Sequence, residues 1–132
     1  MFDFKTRILI VDDMVTMRKL VAKSCRAIGF TDLTEASDGV EGWAAITEAN
    51  PSFGLIISDW NMPNASGLDL LKRVRHDSRF GRTPFMLVTA EADEEKIIEA
   101  GRAGVSQYLV KPFTTELLRD RIDSIHKKIM GR

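Results

Sequence analysis

Short, wholly apolar runs alternate along the chain with stretches whose apolar residues recur every three or four positions. Ile8-Leu9-Ile10-Val11 is a β-branched run that reads as a buried strand, and it ends at Asp12-Asp13. Met17, Leu20, Val21, Ser24, Cys25 and Ile28 then follow at helical spacing, with Gly29 placed to close that helix. Leu33-Thr34-Glu35-Ala36 predicts a weaker second strand. Asp38-Gly39-Val40-Glu41 has the form of a capping box, opening a helix whose face is Val40, Trp43, Ala44 and Thr47; Asn50-Pro51 stops it. Gly54-Leu55-Ile56-Ile57 predicts the third strand, which runs into Ser58-Asp59. Ser66 and Asp69 can cap a third helix with Leu68, Leu71 and Val74 on its apolar face. The run from Pro84 to Val88 predicts the fourth strand, ending at Thr89-Ala90. Asp93 opens a helix carrying Ile97, Ile98 and Ala100, with Gly101 and Gly104 near its end. Tyr108-Leu109-Val110 predicts the fifth strand and leads into Lys111-Pro112. Thr114 caps a last helix whose face is Leu118, Ile122, Ile125 and Ile129.

Strands alternating with helices predict an α/β fold, a doubly wound five-stranded parallel sheet with helices on both faces and right-handed crossovers. The strand order 2-1-3-4-5, established for flavodoxin-like sheets, puts the reversal point between the first and third strands. Ligands of such sheets bind outside the C-terminal strand ends at that point. Asp12, Asp13 and Asp59 would therefore meet there although they are distant in sequence. Met62-Pro63 bars a helix immediately after Asp59, because the residue before proline is pushed out of the helical region. Asp59 is thus expected on a held loop, facing outward.

The chain has 132 residues, a length suited to one domain with a core that needs no covalent staples. Nineteen basic residues balance nineteen acidic ones, which removes the electrostatic case for nucleic acid or an anionic membrane. The one cysteine, Cys25, allows no internal disulfide and is compatible with a reducing, cytoplasmic setting; on an apolar helix face it reads as a small core residue. No apolar run approaches the ~20 residues of a membrane span, and Met1-Phe2-Asp3-Phe4-Lys5 lacks the apolar region of a signal peptide. No linker or repeat is evident, so residues 1–132 are expected to form one domain acting as a monomer through its own surface.

Three converging carboxylates repel one another unless a cation joins them. Mg²⁺ suits such a group, because it takes oxygen ligands in octahedral geometry and keeps several waters. Asp13 and Asp59 are the expected direct ligands, Asp12 binds directly or through water, and the Asn61 carbonyl adds a further oxygen. A metal so held supports phosphoryl transfer, and a carboxylate can itself be the nucleophile, forming an aspartyl-phosphate. Thr89 would offer a hydroxyl and Lys111 a point positive charge at the same edge. Singly, each residue has an ordinary reading: Asp12-Asp13 and Thr89 as helix caps, Asp59 and Lys111 as solvated charges, Trp60 as a packed turn aromatic. Together, four of five predicted strands end at one edge in Asp-Asp, Asp, Thr and Lys, and that joint pattern points to a site. A cis Lys111-Pro112 bond is expected after it.

Val11-Asp12-Asp13, Ser58-Asp59-Trp60-Asn61-Met62-Pro63, Val88-Thr89-Ala90 and Tyr108-Leu109-Val110-Lys111-Pro112-Phe113 resemble the receiver domain of two-component response regulators, over nearly the whole chain. Met14-Val15-Thr16-Met17-Arg18, Asp59-Trp60-Asn61-Met62-Pro63-Asn64 and Val88-Thr89-Ala90-Glu91-Ala92 are similar to the single-domain chemotaxis members of that family. The resemblance implies that a histidine kinase of the chemotaxis (CheA-like) type donates a phosphoryl group to Asp59, with Mg²⁺ on Asp12, Asp13, Asp59 and Asn61. It implies phosphoryl contacts from Thr89 and Lys111, and a switch in which Thr89 moves inward and Tyr108 turns from exposed to buried. The implied partners are the flagellar motor switch and a chemotaxis phosphatase, and Asn61 and Glu91 are implied to set an aspartyl-phosphate lifetime of seconds to minutes. Asp93-Glu94 stands where the best-known chemotaxis regulators carry lysines; acids there suit a helix start and alter the charge a partner meets.

Three other readings compete. A phosphorelay intermediate or phosphate sink would use the same chemistry without a motor. A Mg²⁺-dependent phosphatase of the haloacid-dehalogenase type would need an acid two residues after its nucleophile, where Asn61 cannot deliver a proton. A flavin-binding module would place phosphate against Asp12-Asp13, which repel it. The leading expectation is a phosphorylation-switched binding module that modifies itself, not a conventional turnover enzyme.

Overall fold

The computed structural model describes residues 1–91 and 93–131; Ala92, within the Val88–Ala92 string, lies outside the described residues. Strands β1 (Ile8–Val11), β2 (Leu33–Ala36), β3 (Leu55–Asp59), β4 (Phe85–Thr89) and β5 (Gln107–Val110) alternate with helices α1 (Val15–Ile28), α2 (Gly39–Glu48), α3 (Gly67–His76), α4 (Glu94–Arg102) and α5 (Thr115–Met130). All strand pairs are parallel, in the order β2-β1-β3-β4-β5. Val11 pairs with Ser58 and Asp59 with Val88, so β1, β3 and β4 end together along one edge.

The central strands are buried on both sides, and alternate residues feed two cores. Ile8, Ile10, Ile57, Met86 and Leu109 pack against Val21 and Cys25 of α1 and Leu118, Ile122 and Ile125 of α5. Leu9, Val11, Ile56, Phe85 and Leu87 pack against Ile46 of α2, Leu70, Leu71 and Val74 of α3, and Ala100 of α4. No helix among the described residues is long and apolar enough to cross a membrane.

Local signals behave largely as the sequence predicts. Ser66 and Asp69 form a reciprocal capping box on α3, Asp93 and Thr114 cap α4 and α5, and Gly29 closes α1 with φ 134°. Asn50-Pro51 and Lys111-Pro112 are both cis. Helix α2 departs from expectation. Its inward residues are Gly39, Gly42 and Ile46, while Val40 is 58% exposed. A Cβ at Gly42 would stand 3.2 Å from Val11 and 3.3 Å from Leu70, so this helix approaches too closely for the branched face to point inward. The Asp38 side chain accepts from the Glu41 amide, but Glu41 reaches back to Ser37 rather than closing a box on Asp38. Leu20, Ile98 and Ile129, expected on apolar faces, are exposed.

Cys25 is fully buried, and burial pushes its thiol up to about 12. Thiolate is the reactive form, so a thiol reagent should label native Cys25 about 10³-fold more slowly than the unfolded chain. Labelling followed through a denaturant titration checks this; rapid labelling of the native protein would contradict it.

Candidate acidic phosphoryl-transfer site

The common edge of β1, β3 and β4 carries the acidic residues. Asp12 follows β1, and its amide donates to the Ala36 carbonyl at 3.1 Å, which ties it to β2. The Asp12 carboxylate accepts from the Met14 amide at 2.9 Å, within a local turn and not as the side-chain cap of α1. Arg18 fixes the same residue from the other side. It donates to the Asp12 carbonyl at 2.9 Å and to Glu35 at 3.0 Å. Asp59 is the last residue of β3. The loop after it is held where Trp60 donates its amide to the Val88 carbonyl at 2.9 Å and Gly67 donates to the Trp60 carbonyl at 2.8 Å.

Oxygens of Asp12, Asp13 and Asp59 all lie within 4.8 Å of one another, with Asp12 and Asp59 buried and Asp13 exposed. Lys111, held after β5 where its backbone amide donates a hydrogen bond to the Thr89 carbonyl at 2.8 Å, places Nζ 3.0 Å from Asp59 and 3.6 Å from Asp12. Burial raises the Asp59 pKa above the ordinary carboxylate value; Lys111 opposes this and the nearby Asp12 charge adds to it. Three carboxylates thus face one ammonium, and net negative charge remains at a partly dry mouth. An all-oxygen donor set with unbalanced negative charge fits a hard divalent cation. A buried carboxylate beside a lysine also has the parts for accepting a phosphoryl group: an oxygen nucleophile and a cation for the incoming charge.

Thr89 is buried at the end of β4, but its hydroxyl accepts from the Glu91 amide at 3.1 Å and donates to the Glu91 carbonyl at 3.0 Å. Asn61 is exposed on the loop after Asp59, and its carbonyl accepts no hydrogen bond among the described residues. Glu91 is exposed, 3.7 Å from the Lys96 ammonium. Tyr108 is half-buried, with the Arg121 guanidinium 5.8 Å from its ring centre. Sequence reasoning missed Arg18, the brace on Asp12. It also missed Lys96, whose ammonium sits 4.9 Å from the ring centre of the buried Trp60 and links α4 to the Asp59 loop. Neither carries a local signal, since both act across elements.

Comparison with known proteins gives one consistent picture. The family model for the response regulator receiver domain matches residues 8–123. The chain is 44% identical over 125 residues to the chemotaxis protein CheY of Pseudomonas aeruginosa, covering 95% of this chain and 99% of that protein. It is 42% identical over 123 residues to CheY-3 of Vibrio cholerae, covering 93% of each. The structure of the Vibrio cholerae chemotaxis protein CheY4 superposes with a TM-score of 0.84 at 34% identity, covering 92% of this chain and 98% of that one.

Proposed function

The chain belongs to the response regulator receiver family, and from that membership we propose that it is a chemotaxis switch: one receiver domain over residues 1–132 that accepts a phosphoryl group on Asp59 from a histidine kinase and thereby changes what its surface binds. The observation that carries this reading is the buried Asp59 with Lys111 at 3.0 Å and two further carboxylates alongside. Asp12, Asp13, Asp59 and the free Asn61 carbonyl would hold Mg²⁺. When bound, the metal neutralises phosphoryl oxygens during transfer. Asp59 supplies the attacking oxygen and keeps the phosphoryl group as an acyl phosphate. Lys111 stays beside that oxygen and meets the charge the phosphoryl group brings. Arg18 holds the Asp12 backbone so that its carboxylate keeps its aim.

The switch follows from where Thr89 starts. To contact a phosphoryl group, its hydroxyl must leave both Glu91 backbone groups, which frees the β4–α4 loop. Helix α4 offers little resistance, since Ala100 is its one buried residue. Half-buried Tyr108 is then free to turn inward, and the face of α4, β5 and α5 changes. The similarity to proteins named for chemotaxis supports a flagellar motor switch as the partner for that face, and a cytoplasmic monomer would be the working form.

Trp60 gives the test. Its fluorescence should change on adding Mg²⁺ and change again, reversibly, on adding acetyl phosphate. A donor response without Mg²⁺, or none with it, would contradict the reading. Lys111→Ala should slow phosphoryl acceptance by about 10²-fold. The same variant should bind Mg²⁺ about tenfold more tightly, because a competing cation is gone. Stopped-flow fluorescence and a metal titration read the two effects separately. Bulky apolar residues in place of both Asn61 and Glu91 should lengthen the acyl-phosphate lifetime about tenfold by excluding water, followed as decay of the phosphorylated mass. An unchanged decay rate would remove the proposed role of those two residues.

A further inference from the structure

At the opposite edge of the sheet from Asp59 lies a cavity of about 320 Å³ that the proposed switch does not use. It sits beside the start of β4, roughly 13 Å from Thr89 by strand rise alone. Arg75, Arg82, Lys128 and Ser106 line one part, and Ile125 and Ile129 give it an apolar wall. No acidic residue lines it. None of the three cations is in a salt bridge among the described residues, although the chain as a whole carries no net charge. The nearest acid in sequence, Asp77, is occupied by Arg79 at 2.9 Å.

Arg75 is the built part of this cavity. Its guanidinium is half-buried, donating to the Gly104 carbonyl at 2.9 Å, to Thr83 at 2.6 Å and to Gly81 at 3.3 Å. One Nη2 hydrogen reaches the Ser106 hydroxyl, at a long 3.4 Å, and the other has no acceptor among the described residues. Ser106 Oγ accepts from Arg75 and from the Phe85 amide at 3.0 Å, which leaves its own proton to donate. Carbonyl bonds account for Arg75 as a brace between the α3–β4 and α4–β5 turns. They do not account for Arg82 and Lys128, two exposed cations that border the same cavity and make no salt bridge among the described residues.

We propose that this cavity binds a small phosphate-bearing molecule of nucleotide size. Arg75, Arg82, Lys128 and the Ser106 hydroxyl receive the phosphate, and Ile125 and Ile129 cover the uncharged part of the ligand. The volume lies within the range of small-molecule sites, and guanidinium groups match phosphate in charge and fork geometry. The site is independent of phosphorylation at Asp59.

The test is a ¹⁵N-amide NMR titration of the full chain with AMP in metal-free buffer, where the acidic mouth repels phosphate. Adenosine and inorganic phosphate serve as separate arms. The expected result is saturable shifts at 81–83, Phe85, 104–106 and 125–129 with AMP, weaker ones with inorganic phosphate, and none with adenosine. Arg82→Gln combined with Lys128→Gln, both exposed, should leave the fold intact and weaken AMP binding about tenfold. Arg75→Gln is avoided as the primary variant because it removes the brace. No saturable shift at those residues, equal shifts with adenosine, or AMP binding unaffected by the double variant would overturn the proposal.

Discussion

Asp59→Asn should abolish phosphoryl acceptance and, in metal-free buffer at neutral pH, make the protein more stable. The first effect follows because the amide has no oxygen nucleophile to offer. The second follows from the cost of holding the native carboxylate ionised, buried and beside Asp12. Because the native pKa of Asp59 is raised, the folded chain keeps this proton over a pH range where the unfolded chain has released it. Stability therefore falls as pH rises from the ordinary carboxylate value through the raised one, and the penalty is fully present above it. The variant carries no such penalty, so its advantage should be largest at neutral pH and vanish in acid. The gain should show as a higher Tm for the variant. Mg²⁺ should reverse the order, since it stabilises the wild type through its carboxylates and the variant far less. Thermal melts at several pH values with and without Mg²⁺ read all of this, and a variant less stable than wild type without metal would contradict it.

Gly67→Ala should be the most damaging methyl group that can be added near the site. A Cβ there collides with the backbone carbonyl of Asp59 and stands 2.9 Å from Leu87. Neither neighbour can yield: the carbonyl belongs to the last residue of β3, and Leu87 is in the centre of β4 with no exposure. The expected cost is about 3 kcal/mol, or roughly 10 °C in Tm. The strain falls on the acceptor loop, so Mg²⁺ binding should weaken as well. Gly101→Ala is the control, because a Cβ there meets nothing within 4 Å and the position is helical. It should stabilise by up to about 1 kcal/mol. Chemical denaturation of the two variants should move in opposite directions, and equal effects would contradict this account of Gly67.

How much was legible in the sequence depends on the range of the interaction. Strands announced themselves as apolar runs, and their polar ends at Asp12, Asp59, Thr89 and Lys111 located the mouth once the strand order was supplied. Caps at Ser66, Asp93 and Thr114 were legible because each bonds three residues ahead. The α2 face was not, because Gly42 lets that helix sink toward Val11 and Leu70 and Gly39 lets its start approach Ala65, and apolar periodicity cannot show a close approach made by absent side chains. Thr89 was placed correctly at the strand end, but its hydroxyl binds Glu91, and a rotamer leaves no trace in composition. Arg18 reaching Glu35 and Arg75 reaching Gly104 join residues 17 and 29 apart, distances over which only the fold decides contact.

The central claim is that Asp59 becomes an acyl phosphate, and borohydride trapping tests it most directly. The protein is incubated with Mg²⁺ and acetyl phosphate, reduced with borohydride and mapped by peptide mass spectrometry. Reduction of an aspartyl-phosphate leaves homoserine, so the account predicts homoserine at position 59 and nowhere else, dependent on Mg²⁺ and donor. Homoserine at another aspartate, or an unmodified Asp59 in protein that has gained phosphoryl mass, would contradict it.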